Sequence, residues 1–210
     1  MEIQKVSKND IMRILNRAGV KRVSGLVYEE IRGLMVVYLS LILRNVIIAV
    51  SASKRHTVSE KDLIMAFSII GTDLAVGMPR NGMAANLKKC KSKPKTEKTE
   101  DKRRRPSGSV SLSNIRYQQR ASDCLAIRKK IFKELVKELS HDLWKDPNIN
   151  SIYNKDIGIL RFASGTMEVL QSAFEDHFTN LAEKANLIAI SSKRQTVKAK
   201  DIRLARDIME

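Results

Sequence analysis

The chain has 210 residues, a net charge of +16 from 39 basic and 23 acidic side chains, 5% aromatic content and two cysteines. That length allows one or two domains, and the charge asks for a polyanionic partner, nucleic acid before an acidic membrane. Few aromatics argue against base-stacking platforms for single strands, and Cys90 and Cys124, without ligand-like spacing, exclude a disulfide framework and suit a reducing compartment.

Met1 to Gln4 leads straight into a charged helical stretch, so no secretory signal is expected. Ser7-Lys8-Asn9-Asp10 is a capping signal, and Ile11, Ile14 and Leu15 follow at helical spacing until Gly19 stops the helix. Gly19 to Gly25 is a basic loop. Leu26 to Ser53 then predicts a helix of 28 residues, roughly 42 Å long. Between Gly33 and Leu43 only Gly33 and Ser40 are not strongly apolar, so this helix is expected to be buried all round. A unit of about 70 residues cannot wrap it alone. A membrane span would place Arg44 near mid-bilayer at roughly 3 kcal/mol, beside Ser40, Asn45, Ser51 and Ser53, so a partner within the chain is the better reading. Lys54 to Val58 is a second loop, and Ser59-Glu60-Lys61-Asp62 caps a last helix that ends at Gly71.

Residues 81–109 read as a flexible basic linker. Residues 88–106 alone carry net +7, the largest share of the excess. Lys102-Arg103-Arg104-Arg105 within it suits a nuclear signal, a DNA clamp or a solvated charge run. Beyond it come a helix at Leu112 to Gln119 and another at Ile127 to Trp144, where Ile131, Leu135, Leu139 and Leu143 step by four. A loop from Lys145, a second long helix over Ser164 to Ser192, and a last helix from Lys198 to about Met209 complete the chain.

The two halves are copies. Lys54-Arg55-His56-Thr57-Val58-Ser59-Glu60-Lys61-Asp62-Leu63-Ile64-Met65-Ala66 recurs 139 residues later at Lys193 to Ala205, with nine of thirteen positions alike. The expected organisation is all-α: one unit over 1–80, the linker over 81–109, and a second unit with an extra leading helix over 110–210. Arg55 with Asp62, and Arg194 with Asp201, are seven apart across a loop–helix joint and are expected to pair. His56, His141 and His177 share no motif with a nucleophile or a carboxylate pair, so no catalytic residue is assigned and no enzyme is expected. His56, next to Arg55, is a possible phosphate contact.

Residues Gly19 to Gly33 and Lys54 to Val58 resemble core histone four nearly residue for residue. Ile115 to Gln118, Ile127-Arg128-Lys129, Phe132 to Glu138, Leu160-Arg161-Phe162, Asn186 to Ile190 and Asp201 to Arg206 resemble core histone three. Residues 8–75 and 106–208 are covered. Fused doublets in this order are found in large DNA viruses of amoebae (the Marseilleviridae type), and the chain is similar to those.

The resemblance implies two histone folds, each of short, long and short helix, clasped head to tail as an intramolecular handshake. Loop one of each copy would lie beside loop two of the other. It implies sequence-nonspecific packaging of duplex DNA in a nucleosome-like particle; the alternative is a histone-fold subunit of a transcription factor at selected promoters. The expected DNA contacts are Arg22 and Arg161 in the minor groove. Lys54, Arg55 and Thr57 with Lys193, Arg194 and Thr196 would meet phosphates, as would Arg13, Arg17, Lys21, Arg116 and Arg128.

The implied partners are double-stranded DNA, a second copy of the chain, and a further doublet or pair resembling histones two-A and two-B; no membrane is expected. The second copy would meet Ile188, Ser191, Asp201, Leu204 and Ile208 about a two-fold axis. Localisation would be a chromatin-like particle: host nucleus, or viral factory and virion. The chain also departs from the family. The Cys and His of histone three proposed to hold copper are Ile188 and Ser191, so no metal and no cofactor is expected. Asp207 replaces a late arginine, Ala49 and Met65 replace aromatics that meet histone two-B, almost no basic tail precedes Ser7, and the loop Lys145 to Leu160 is longer.

Overall fold

The computed structural model describes residues 6–71, 106, 108–120, 125–144, 160–163 and 165–209. The linker at 81–109 and the loop Lys145 to Leu160 therefore lie almost wholly outside the described residues. Among these residues are seven helices and four two-residue strands.

Copy one contains α1 (Lys8–Arg17), β1 (Arg22–Val23), α2 (Gly25–Ala52), β2 (Thr57–Val58) and α3 (Glu60–Ile70). Copy two contains α4 (Ser109–Arg120), α5 (Lys129–Trp144), β3 (Arg161–Phe162), α6 (Thr166–Ser191), β4 (Thr196–Val197) and α7 (Ala199–Met209). Helix α1 buries Ile11, Ile14 and Leu15, the stripe its spacing dictates. It ends because Gly19 takes a left-handed conformation at φ 79, which costs glycine nothing. Gly71 closes α3 in the same way, its N–H bonding back to the last turn.

Copies and compact units do not coincide. Among the described residues, one unit holds 6–7, 31–71 and 127–177, and the other 8–30, 106–126 and 178–209. Each unit is thus assembled from both copies. In the first, Phe132 and Phe174 pack at 5.4 Å between ring centroids and Tyr38 stacks on His177 at 3.8 Å. Two buried polar side chains are satisfied there: Glu175 accepts from the Ile127 N–H (2.9 Å), and Gln171 donates to Glu175 (2.9 Å) and to the Ile127 carbonyl (2.8 Å). A buried carboxylate left unmatched would cost far more than these bonds return. In the second unit α4 packs on α1, and Gln119 donates to the Arg17 carbonyl at the end of α1.

The strands settle how the copies pair. β1 runs parallel to β4, and β2 runs parallel to β3. Loop one of each copy therefore lies beside loop two of the other, the head-to-tail handshake.

The expectation for α2 needs correction. Met35, Leu39, Ile42, Leu43, Val46 and Ile47 are at most 1% exposed, but Leu26, Val37, Leu41 and Ile48 remain 40–68% exposed. Pairing covers one side of a helix. Residues 37, 41 and 48 fall along the opposite stripe, and an unbroken apolar run does not mark where that stripe begins. α2 is also the one described helix long and apolar enough to cross a bilayer; its inward face is spent on the core just named.

Candidate nucleic-acid interface

Each unit carries a ridge where loop one of one copy meets loop two of the other. The register puts Arg22 opposite Thr196 in one, and Arg161 opposite Thr57 in the other. Backbone bonds extend both bridges. The Ser24 N–H reaches the Val197 carbonyl at 3.0 Å, and the Arg161 and Ala163 N–H groups reach the carbonyls of His56 and Val58, each at 3.0 Å. Arg22, Arg161 and Thr57 are exposed, and Thr196 is half-buried. Two arginines are thereby presented beside a hydroxyl on a stiff support, which suits insertion between phosphate strands.

Behind each ridge is a lock. In copy one, Arg55 Nη2 meets Asp62 Oδ1 at 2.7 Å, and Asp62 Oδ2 accepts from the Ser59 N–H and hydroxyl, both at 2.8 Å. In copy two, Arg194 meets Asp201 through two bonds of 3.1 and 2.9 Å, and Asp201 accepts from the Lys198 N–H at 2.8 Å. Burial works to raise both carboxyls. The Ser59 and Arg55 bonds around Asp62, and those of Arg194 and Lys198 around Asp201, outweigh it and hold both below the usual carboxylate range.

The locks also redistribute the roles of the site residues. Arg55 and Arg194 turn their guanidinium groups toward the aspartates, and Arg194 adds a bond to the Thr196 carbonyl at 3.1 Å. Lys54 and Lys193 are exposed, as Arg55 still is in part, whereas Arg194 is half-buried. Both lysines sit in the left-handed region, at φ 49 and 55, where an L-residue is held at a cost. Each caps a long helix, the N–H of Lys54 reaching the Ser51 carbonyl (2.9 Å) and that of Lys193 the Ile190 carbonyl (2.8 Å).

Arg17, Lys21 and Arg116 share the unit of the Arg22 ridge, with Lys21 and Arg116 exposed. Arg13 is there too, but its Nη1 bridges the buried Asp10 (3.1 Å) and the Ala126 carbonyl (3.0 Å), tying α1 to the approach to α5. Arg128 is exposed in the other unit. Among the described residues no group of three His, Cys, Asp or Glu could hold a metal ion.

The expected self-association residues separate. Leu204 and Ile208 are 49% and 61% exposed and four apart on α7, Ser191 is exposed and Ile188 half-buried. Asp201, at 2% exposure and bonded by Arg194 and Lys198, belongs to the lock. Leu187 and Ile190, also on the end of α6, are 65% and 58% exposed.

Residues 107–208 match the core histone domain common to histones two-A, two-B, three and four. A solved structure of the histone from Methanopyrus kandleri is similar over 95% of this chain and 92% of its own, with a TM-score of 0.53 and 15% sequence identity. The described residues therefore have the histone fold.

Proposed function

We propose that this chain packages duplex DNA without sequence preference, as a fused pair of a histone four-like and a histone three-like half at the centre of a nucleosome-like particle. The observation that carries the reading is the pair of ridges, each setting an exposed arginine opposite a threonine. A net charge of +16 supplies the counterion release that drives such binding. Arg22 and Arg161 enter the minor groove, where width and potential rather than base identity are read. Lys54, Lys193, Thr57 and Thr196 meet phosphates, with Lys21, Arg17, Arg116 and Arg128 adding to the path. Arg55, Arg194 and Arg13 act mainly by holding these groups in place. The role is structural rather than enzymatic, in keeping with the histone family.

Copies associate through the exposed face of α6 and α7. A further doublet or pair resembling histones two-A and two-B completes the particle, which belongs to chromatin or, for a viral chain, to the viral factory and virion. The test is nuclease protection on DNA reconstituted with and without that second partner, together with affinity across a salt series. Packaging expects a log–log slope steeper than about −3, meaning more than three or so phosphates. A shallower slope overturns it, and a marked preference for one duplex over its scrambled version supports a promoter-binding subunit instead.

A further inference from the structure

A two-bond ion pair crosses between the copies. Arg203 of α7 meets Glu30 of α2 through two bonds, Nε–Oε1 at 2.9 Å and Nη2–Oε2 at 2.8 Å. The fork geometry makes this a directional contact rather than a diffuse attraction. From loop one onward the copies align at a constant offset of 139 without insertion, Arg22 with Arg161 and Lys54 with Lys193. Position 30 therefore corresponds to Val169, and position 203 to Ile64. Both stand in the other compact unit. One end of the handshake thus carries a carboxylate and a guanidinium where the other carries two aliphatic side chains.

We infer that Glu30 and Arg203, with Val169 and Ile64 at the equivalent positions, determine that copy one pairs with copy two rather than each copy with its own kind. The alternatives follow from the repeat. Two copy-one halves from different chains would set Glu30 against Ile64 at both ends. Two copy-two halves would set Arg203 against Val169 at both ends. Either arrangement forfeits the ion pair and places a charge against an aliphatic group, twice over. Only the mixed pairing satisfies all four positions, so the wrong partner is rejected by lost contacts as well as the right one favoured. The docking of α4 on α1 acts in the same direction, because α4 exists in copy two alone.

The experiment uses the full chain, refolded from denaturant at several micromolar concentrations without DNA, with mass read by light scattering after size exclusion. Each sample is then diluted a hundredfold. Chains held only by their surfaces separate, whereas chains joined through exchanged handshakes stay together until they unfold. Glu30→Val with Arg203→Ile makes the two ends alike. The persistent two-chain fraction should rise about tenfold over wild type, since each mispaired set of chains then forfeits no ion pairs instead of two. Glu30→Arg with Arg203→Glu keeps the ion pair in reverse and should behave as wild type, which guards against the apolar variant simply failing to fold. The inference is overturned if the apolar variant refolds to single chains as completely as wild type, whatever its stability. It is equally overturned if the charge-exchanged variant mispairs.

Discussion

Replacing Lys54 and Lys193 by glycine separates two properties that ordinarily move together. Both lysines occupy left-handed backbone at φ 49 and 55, a conformation costing an L-residue roughly 1–2 kcal/mol. Glycine removes that cost but gives back roughly 0.5–1 kcal/mol in unfolded-chain entropy, leaving a net gain of about 0.5–1 kcal/mol per site. Neither side chain makes a described hydrogen bond or ion pair whose loss would offset the gain. DNA binding should move the other way. Each lost phosphate contact removes about 0.9 from the salt slope, so the double variant should be shallower by about 1.8. At 0.15 M salt that is about thirtyfold in affinity by the same relation. Urea unfolding followed by circular dichroism, and anisotropy of a labelled duplex of about 30 base pairs from 50 to 300 mM salt, read the two effects on one preparation. Lysines retained for packing would give a variant less stable than wild type. An unchanged salt slope would show that these cations do not touch phosphate, and the reasoning would fail on its functional side.

The remaining predictions concern the ridges, the locks and the outer face. Arg22→Ala with Arg161→Ala should weaken binding to every duplex alike and make the salt slope shallower by about 2; selective loss on one sequence would point to base reading. Asp201→Asn should destabilise the fold by about 1–3 kcal/mol, since Arg194 loses its charged acceptor, and urea unfolding would show no shift if the lock were ornamental. Asp62, Asp201 and Glu30 are all held below the ordinary carboxylate range, Glu30 chiefly by its bond with Arg203. Their contribution is fully present above the unfolded carboxyl pKa of about 4 and disappears as pH falls through the lower folded values. An acid titration should therefore show steep loss of stability only below about pH 4, and a midpoint nearer neutrality would assign the loss to other groups. Leu204→Glu should leave folding and short-duplex binding intact but abolish long protected fragments, because a carboxylate then enters an apolar contact; unchanged fragment length would move the association to another surface.

The fold was legible because several signals agreed. The helical stripe of Ile11, Ile14 and Leu15, the stop at Gly19, and the recurrence of Lys54 to Ala66 at Lys193 to Ala205 each point to the same paired units. The side of α2 left uncovered was not legible, since a continuous apolar run carries no phase. The facing of Arg22 by Thr196 and of Arg161 by Thr57 depends on strand register between distant segments, which local sequence does not encode. The double duty of Arg55 and Arg194 was visible in the seven-residue spacing to Asp62 and Asp201. What the spacing could not give was that the same hydrogen bonds commit these guanidinium groups to Asp62 and Asp201 while the neighbouring lysines stand exposed. Asp201, expected both in the pair with Arg194 and on the self-association face, is buried at the third residue of α7, where it accepts the Lys198 N–H.

That each compact unit is woven from both copies sets a schedule for synthesis. Val23 of β1 has its parallel partner in Val197, and Arg22 in Thr196, 174 residues downstream. At about 5–20 residues per second that partner leaves the ribosome about 10–35 s later. Until residues 127–177 of its own compact unit follow, α2 has only its own copy to cover Met35, Leu39, Ile42, Leu43 and Val46, all of which the finished chain keeps at most 1% exposed. A greasy helix waiting this long in a crowded ribosomal neighbourhood attracts other nascent chains of the same kind. Translation speed through residues 72–160, and a holdase that shelters α2 during it, therefore bear on how much of the product emerges singly folded.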